Sequence, residues 1–180
     1  MHKFLQYLSL ILTLPSLLLV TEATAHNRHS DSDRRGDILV YHEATPQPTY
    51  IDNGQPNDSV GDVRIFHFDG ETDKGSAVIM DWIMTTTALN VTEDGAQARV
   101  TLGVFSFTGA DVDQVLIEGV GLYPSVESTF KADSSLVRAI IGGTGRFKGV
   151  RGEVISTHLE DGSWMHEFYF EDRKDNNRRR

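Results

Sequence analysis

Four side chains sit where a proton could be moved. Asp81 lies between Met80 and Trp82 in a long apolar run, and Glu118 follows Ile117 in another. His42 and Glu43 close a short apolar segment that begins at Ile38. A carboxylate turned into an apolar interior is costly unless it is paired or protonated, so an inward acid is a candidate donor or base poised by desolvation. The plainer reading is that either acid pairs with Arg138 or faces solvent. Phe66, Phe68, Trp82 and Phe105, together with Arg138, are the candidate walls of a small-molecule pocket.

These residues need strands to hold them. Leu136 to Val154 reads as strand, glycine-rich turn, strand, because closely spaced Val, Ile and Leu favour an extended chain. Glycines at Gly142, Gly143, Gly145, Gly149 and Gly152 permit a tight reversal, with Phe147 tucked beneath it. A nucleotide-binding reading of Gly142-Gly143-Thr144-Gly145 fails, since no helical period follows and the Gly-Lys-Ser/Thr phosphate loop is absent.

Strand signals run over Ile38 to Glu43, Val63 to Phe68, Gly75 to Thr87, Ala96 to Thr108, Val112 to Gly121, Val126 to Lys131, Leu136 to Gly142, Gly149 to Leu159 and Ser163 to Glu171. In Val63 to Phe68 the side chains of Val63, Ile65 and His67 alternate with those of Arg64, Phe66 and Phe68. Thr45-Pro46-Gln47-Pro48-Thr49 cannot pair in a central ladder, and Tyr50 to Val60 reads as a long loop. Regular strands with turn punctuation mean an all-β sandwich or barrel. Closing the sheet removes exposed edges, and eight strands leave room for one small ligand.

Met1 to Ala25 has the design of a secretory signal peptide. His2 and Lys3 precede an apolar core from Phe4 to Val20, and Ala23-Thr24-Ala25 offers the cleavage site. The competing reading, a membrane anchor, meets a short core interrupted by Pro15. His26 to Asp37 reads as a disordered leader, 38–171 as the barrel domain and 172–180 as a charged tail. The expected location is secreted or periplasmic, and the mature chain needs no membrane. With no cysteine, disulfides and thiolate chemistry are excluded, which favours a bacterial exported protein. A net charge of −9 argues against nucleic acid as a partner. His26 and His29 could grip copper or nickel, but nothing rigid joins them, so neither a metal nor a cofactor is expected. Asn57 and Asn90 head glycosylation sequons that would count only in a eukaryote.

Ile140 to Glu153 resembles the Gly-Gly-Thr/Ser-Gly-x-Phe-x-x-x-x-Gly segment of allene oxide cyclases and dirigent proteins. Val40-Tyr41, Gly61-Asp62 with Phe66, Ile117-Glu118-Gly119 and Phe168-Tyr169-Phe170 resemble further allene oxide cyclase segments, in the same order along the chain. The resemblance implies an eight-stranded antiparallel β-barrel with an apolar cavity, and a homotrimer. The plant-type catalytic residues are not matched. His42 stands at the position of the catalytic glutamate, Ala44 at that of an asparagine, Phe68 at that of a cavity asparagine and Gly121 at that of a cavity tyrosine. Asp81 falls at a cavity cysteine, Glu118 at a cavity glutamine, and Glu43 one register off the glutamate, which places a strand side chain on the opposite face.

Two expectations follow. The barrel binds a small lipophilic molecule and steers its cyclisation or coupling, as an isomerase does, with Asp81, Glu118, His42 or Glu43 moving a proton while confinement supplies much of the rate. Alternatively, it is an exported carrier that holds a lipophile without turnover.

Overall fold

The computed structural model describes residues 36–54, 57–107, 112–124 and 129–171. The chain divides into two units, 1–34 and 35–180, and the described residues all belong to the second. The signal segment, most of the leader and the charged tail therefore lie outside the described residues. No helix among the described residues is long and apolar enough to cross a membrane.

Strands form where the period-two segments run. They are β1 (Ile38–His42), β2 (Thr49–Ile51), β3 (Val63–Thr72), β4 (Ala77–Ala88), β5 (Gln97–Phe107), β6 (Gln114–Tyr123), β7 (Ser134–Gly143), β8 (Gly152–His158) and β9 (Trp164–Phe170). Neighbours from β3 to β9 pair antiparallel in sequence order, and β1 pairs with both β9 and β3. That double pairing closes an eight-stranded antiparallel barrel, the expected architecture. A sandwich is excluded by the same observation.

The closing seam is incomplete. β1 meets β3 only at Val40↔Thr72 and Tyr41↔Glu71, whereas β2 meets the same edge further along, from Thr49↔Ile65 to Ile51↔Val63. Pro46 and Pro48 lie between, and proline has no N–H to donate to a ladder. Residues 66–70 of β3 are consequently without a strand partner on this side. His42, the last residue of β1, stands at the break.

Three expectations about the elements change. β2 occupies the start of the segment read as a loop. β3 continues past Phe68 to Thr72, which moves the turn to 73–76. Of the expected Val126–Lys131 strand, Thr129, Phe130 and Lys131 are described and none is in a strand. Phe130 packs instead against Tyr123 and Trp164, at ring-centroid distances of 5.8 and 4.9 Å.

The interior divides along the barrel axis. At the end carrying the glycine turn, Phe107, Phe147, Phe168 and Phe170 pack with Val78, Val115 and Val154. Gly143 ends β7, and a 3-10 turn at Gly145–Phe147 folds back so that Phe147 lies 5.0 Å from Phe107. Gly145 has φ +54°, and a Cβ there would collide with Asp113 and the Val112 carbonyl. Only glycine permits the plug. Each buried ring contributes on the order of 2 kcal/mol of apolar burial. The opposite half of the barrel is polar as well as aromatic, with Arg64, Thr86, Gln97, Arg99, Arg138, Ser156 and His166 all buried. The apolar cavity that the resemblance implies is thus bordered by buried polar groups as well as by aromatic rings.

Candidate functional site

Alternation along each strand decides which side chains enter the barrel. β3 points Arg64, Phe66 and Phe68 inward, β4 Trp82 and Met84, β7 Arg138, and β9 Trp164, His166 and Phe168. Of these, all but Arg64 and Phe168 meet His42 of β1, Tyr123 of β6 and Phe130 around a small cavity of about 30 Å3. That is room for one or two water molecules.

Among the sequence candidates, His42, Phe66, Phe68, Trp82 and Arg138 line this cavity. Phe105 is fully buried but lies beneath it, with its ring 5.8 Å from Trp82 and 5.1 Å from His166. Glu43 is exposed beyond the end of β1. Asp81 and Glu118 are on the outer wall. Asp81 is exposed and its carboxylate bonds His67 Nδ1 at 2.6 Å, and Glu118 is also exposed. The inward placement of both acids is therefore corrected, and neither meets Arg138. The reason is register: Asp81 alternates with Met80 and Trp82, and the buried pair claims the inner face.

A chain of hydrogen bonds crosses the cavity wall. His42 Nδ1 donates to the Glu43 carbonyl at 2.6 Å, so His42 Nε2 carries a lone pair. His166 Nε2 lies 3.1 Å away and must be the donor. His166 Nδ1 then accepts from Ser156 Oγ at 2.8 Å, and Ser156 Oγ accepts in turn from Arg138 Nη1 at 3.3 Å. One set of neutral tautomers satisfies every link, and all donors point the same way, from Arg138 toward the exposed Glu43. Burial holds the His42 pKa down at about 4, against the raising effect of its bond to Glu43. Burial, with smaller contributions from His42 and Arg138, lowers His166 well below the usual imidazole range. Both imidazoles are neutral at pH 7.

Aromatic contacts orient the pair. The His42 ring is nearly parallel to Trp164 and His166, with Phe68 tilted against it at 4.6 Å. His158 stacks on Trp164 at 4.7 Å and donates from Nδ1 to the Phe130 carbonyl at 2.7 Å, which holds Phe130 in the cavity lining.

Arg138 is 2% exposed. Its Nη2 donates to Tyr123 OH at 2.8 Å, and its guanidinium lies 4.9 Å from the Trp82 ring centroid. Burial lowers its pKa, opposed by Tyr123. Gly119 makes space for the arginine stem, since a Cβ there would sit 3.0 Å from Arg138 Cγ. Nearer the barrel end, Arg99 bonds Gln97 Oε1 and lies over the other side of the cluster, 4.7 Å from the Tyr123 ring. Arg64 bonds Thr86 and pairs with Asp58 at 3.0 Å. No cluster of three metal-ligating side chains occurs among the described residues.

No family model matches the chain, and no curated protein matches it. A solved structure described as pyocyanin demethylase does. It is 21% identical, superposes with a TM-score of 0.54, and the match covers 74% of this chain and 98% of that one. This likeness is one of barrel fold alone and does not extend to an allene oxide cyclase or dirigent assignment. His166, Trp164, Tyr123, Ser156 and Phe130 were not singled out from the sequence. The alternation Trp164-x-His166-x-Phe168 carried the signal for the first two.

Proposed function

We propose that this protein is an exported barrel that binds one small, flat, unsaturated molecule in the aromatic pocket between His42, Phe68, Trp82 and Trp164, and shifts a proton on it. The supporting observation is the neutral His42–His166 pair at the cavity wall, flanked by aromatic rings and a buried guanidinium. In the proposed step the bound molecule displaces the His166 N–H contact, and His42 Nε2, which carries the lone pair, takes a proton from it. The electron pair left behind enters the π system of the guest. The imidazolium returns a proton at another atom, so the guest is isomerised with no net gain or loss. With its low pKa, the imidazolium gives that proton up readily. Allene oxide cyclase-like or dirigent-like steering belongs to this reading, as does a homotrimer. The neighbour described as pyocyanin demethylase supports the idea that such a barrel acts on a small molecule.

The cavity is small, so a guest must displace side chains at the mouth, where Phe130 is half-buried. One observation favours the alternative, a carrier without turnover. Every ring nitrogen of His42 and His166 is already hydrogen-bonded within the protein.

The chain has two tryptophans, and both line the pocket. Intrinsic fluorescence therefore reports this site directly. Native mass spectrometry of the purified protein should reveal a retained small molecule, and incubation of that molecule with the protein in D2O should place deuterium on carbon. Return of the guest unlabelled and unaltered supports the carrier reading. Absence of any guest, with no fluorescence response to flat unsaturated molecules, overturns both. Export is tested by the mature N-terminus, expected at His26.

A further inference from the structure

Resting on the pocket reading above, we infer that the pocket floor is an oxyanion subsite, and that the guest is a planar unsaturated carboxylic acid held by Arg138 and Trp82. Three residues that line the cavity carry a buried polar atom without a hydrogen-bond partner: Thr129 at Oγ1, and two with nitrogen donors, Arg138 at Nε and Trp82 at Nε1. The two nitrogens belong to stacked groups, with the guanidinium 4.9 Å from the indole centroid. Orphaned buried donors are uncommon, and each calls for an acceptor.

Charge makes the same demand. Among the described residues Arg138 bonds Tyr123 OH and Ser156 Oγ, both neutral, and forms no ion pair. The two acids nearest in strand register, Glu118 and Glu153, both lie opposite Ala139 and are exposed on the outer wall. A buried guanidinium without a counter-charge is held at a cost that a bound anion removes. Water in the cavity could accept the two hydrogen bonds but could not supply the charge.

The walls set the rest of the ligand. Phe66, Phe68, Met84 and Trp164 offer no compensation for a hydrated inorganic anion, whereas they suit a flat apolar body. A carboxylate presents two oxygens in one plane and can accept from two neighbouring donors at once. Its body would then extend toward His42 and the mouth, which places the conjugated part beside the imidazole pair.

The experiment titrates the full chain with trans-cinnamate and with cinnamamide, its neutral isostere, following tryptophan fluorescence and confirming by calorimetry. The wild type should bind cinnamate at least about tenfold more tightly than the amide, because a charge-assisted pair is replaced by a neutral contact. In Arg138→Met that preference should vanish, with amide binding retained. Trp82→Phe removes one donor and keeps the guanidinium, so it should lose affinity for cinnamate by a smaller factor and guards against a folding failure in the arginine variant. Equal binding of acid and amide to the wild type overturns the oxyanion subsite and leaves the pocket standing. Binding of neither overturns the pocket reading itself.

Discussion

His42 and His166 meet Nε2 to Nε2 at 3.1 Å, and one of the two must accept. The Glu43 carbonyl decides which, by taking the proton on His42 Nδ1. A third proton would leave two N–H groups facing each other across that gap, so the folded barrel resists protonation at this point.

Stability should therefore depend on acid. The folded pKa of His42 is about 4 against an unfolded 6.5, and His166 shifts in the same direction. As pH falls below about 6.5 the unfolded chain takes up protons that the folded protein refuses, so stability is full above that value and is lost toward pH 4. His42 alone accounts for about 3 kcal/mol across the window. His67, raised by Asp81, acts in the opposite sense but is exposed and screened. Thermal unfolding followed from pH 7 to 4 should show a falling Tm, and the double variant His42→Gln, His166→Gln should flatten that decline. An equally steep decline in the variant would place the acid sensitivity elsewhere.

The outer-wall acids should be dispensable to the pocket. Asp81→Asn and Glu118→Gln should leave ligand affinity, measured by tryptophan quenching, unchanged within about twofold, since neither side chain reaches the cavity. A tenfold loss in either variant would contradict the observed register.

Register was the least legible part of the sequence. In β4 the outward residues Ile79 and Ile83 are as apolar as the inward Met80 and Trp82, so hydrophobicity alone does not tell which face is which. Asp81 marks the outer face, paired across to His67, but the pairing partner is visible only in the fold. β3 was clearer because its outward His67 and Asp69 break the tie. The glycine-rich turn and the buried Phe147 were legible in full, since positive φ and a close approach leave glycine little competition. The imidazole pair could not be seen because its members lie 124 residues apart, joined only when β1 closes on β9.

Gly152 should be among the positions least tolerant of change. Its φ is +144°, and a Cβ there would strike the Tyr169 carbonyl on the paired strand. Gly152→Ala should cost on the order of 3 kcal/mol, because backbone strain adds to a clash that no rotamer relieves. Denaturant unfolding would check this, with a loss below about 1 kcal/mol counting against the backbone described for β8.

Phe130 should control traffic at the mouth. It rests on Tyr123, His158 and Trp164, and lines the cavity. Phe130→Ala should accelerate both association and dissociation of a bound aromatic acid, with a modest loss of stability of roughly 1–3 kcal/mol because the ring is half-buried. Stopped-flow tryptophan fluorescence separates the two rates. Unchanged rates would mean that the guest enters past some other side chain.

The phenylalanine plug under the glycine turn has one more consequence. Phe107, Phe147, Phe168 and Phe170 stop up that end, so the barrel is a cup and not a tube. Whatever goes in must come out by the same door, and a newcomer waits until the previous occupant has gone. Under the proposed function, exchange of guests would run through one opening, with release before each new entry.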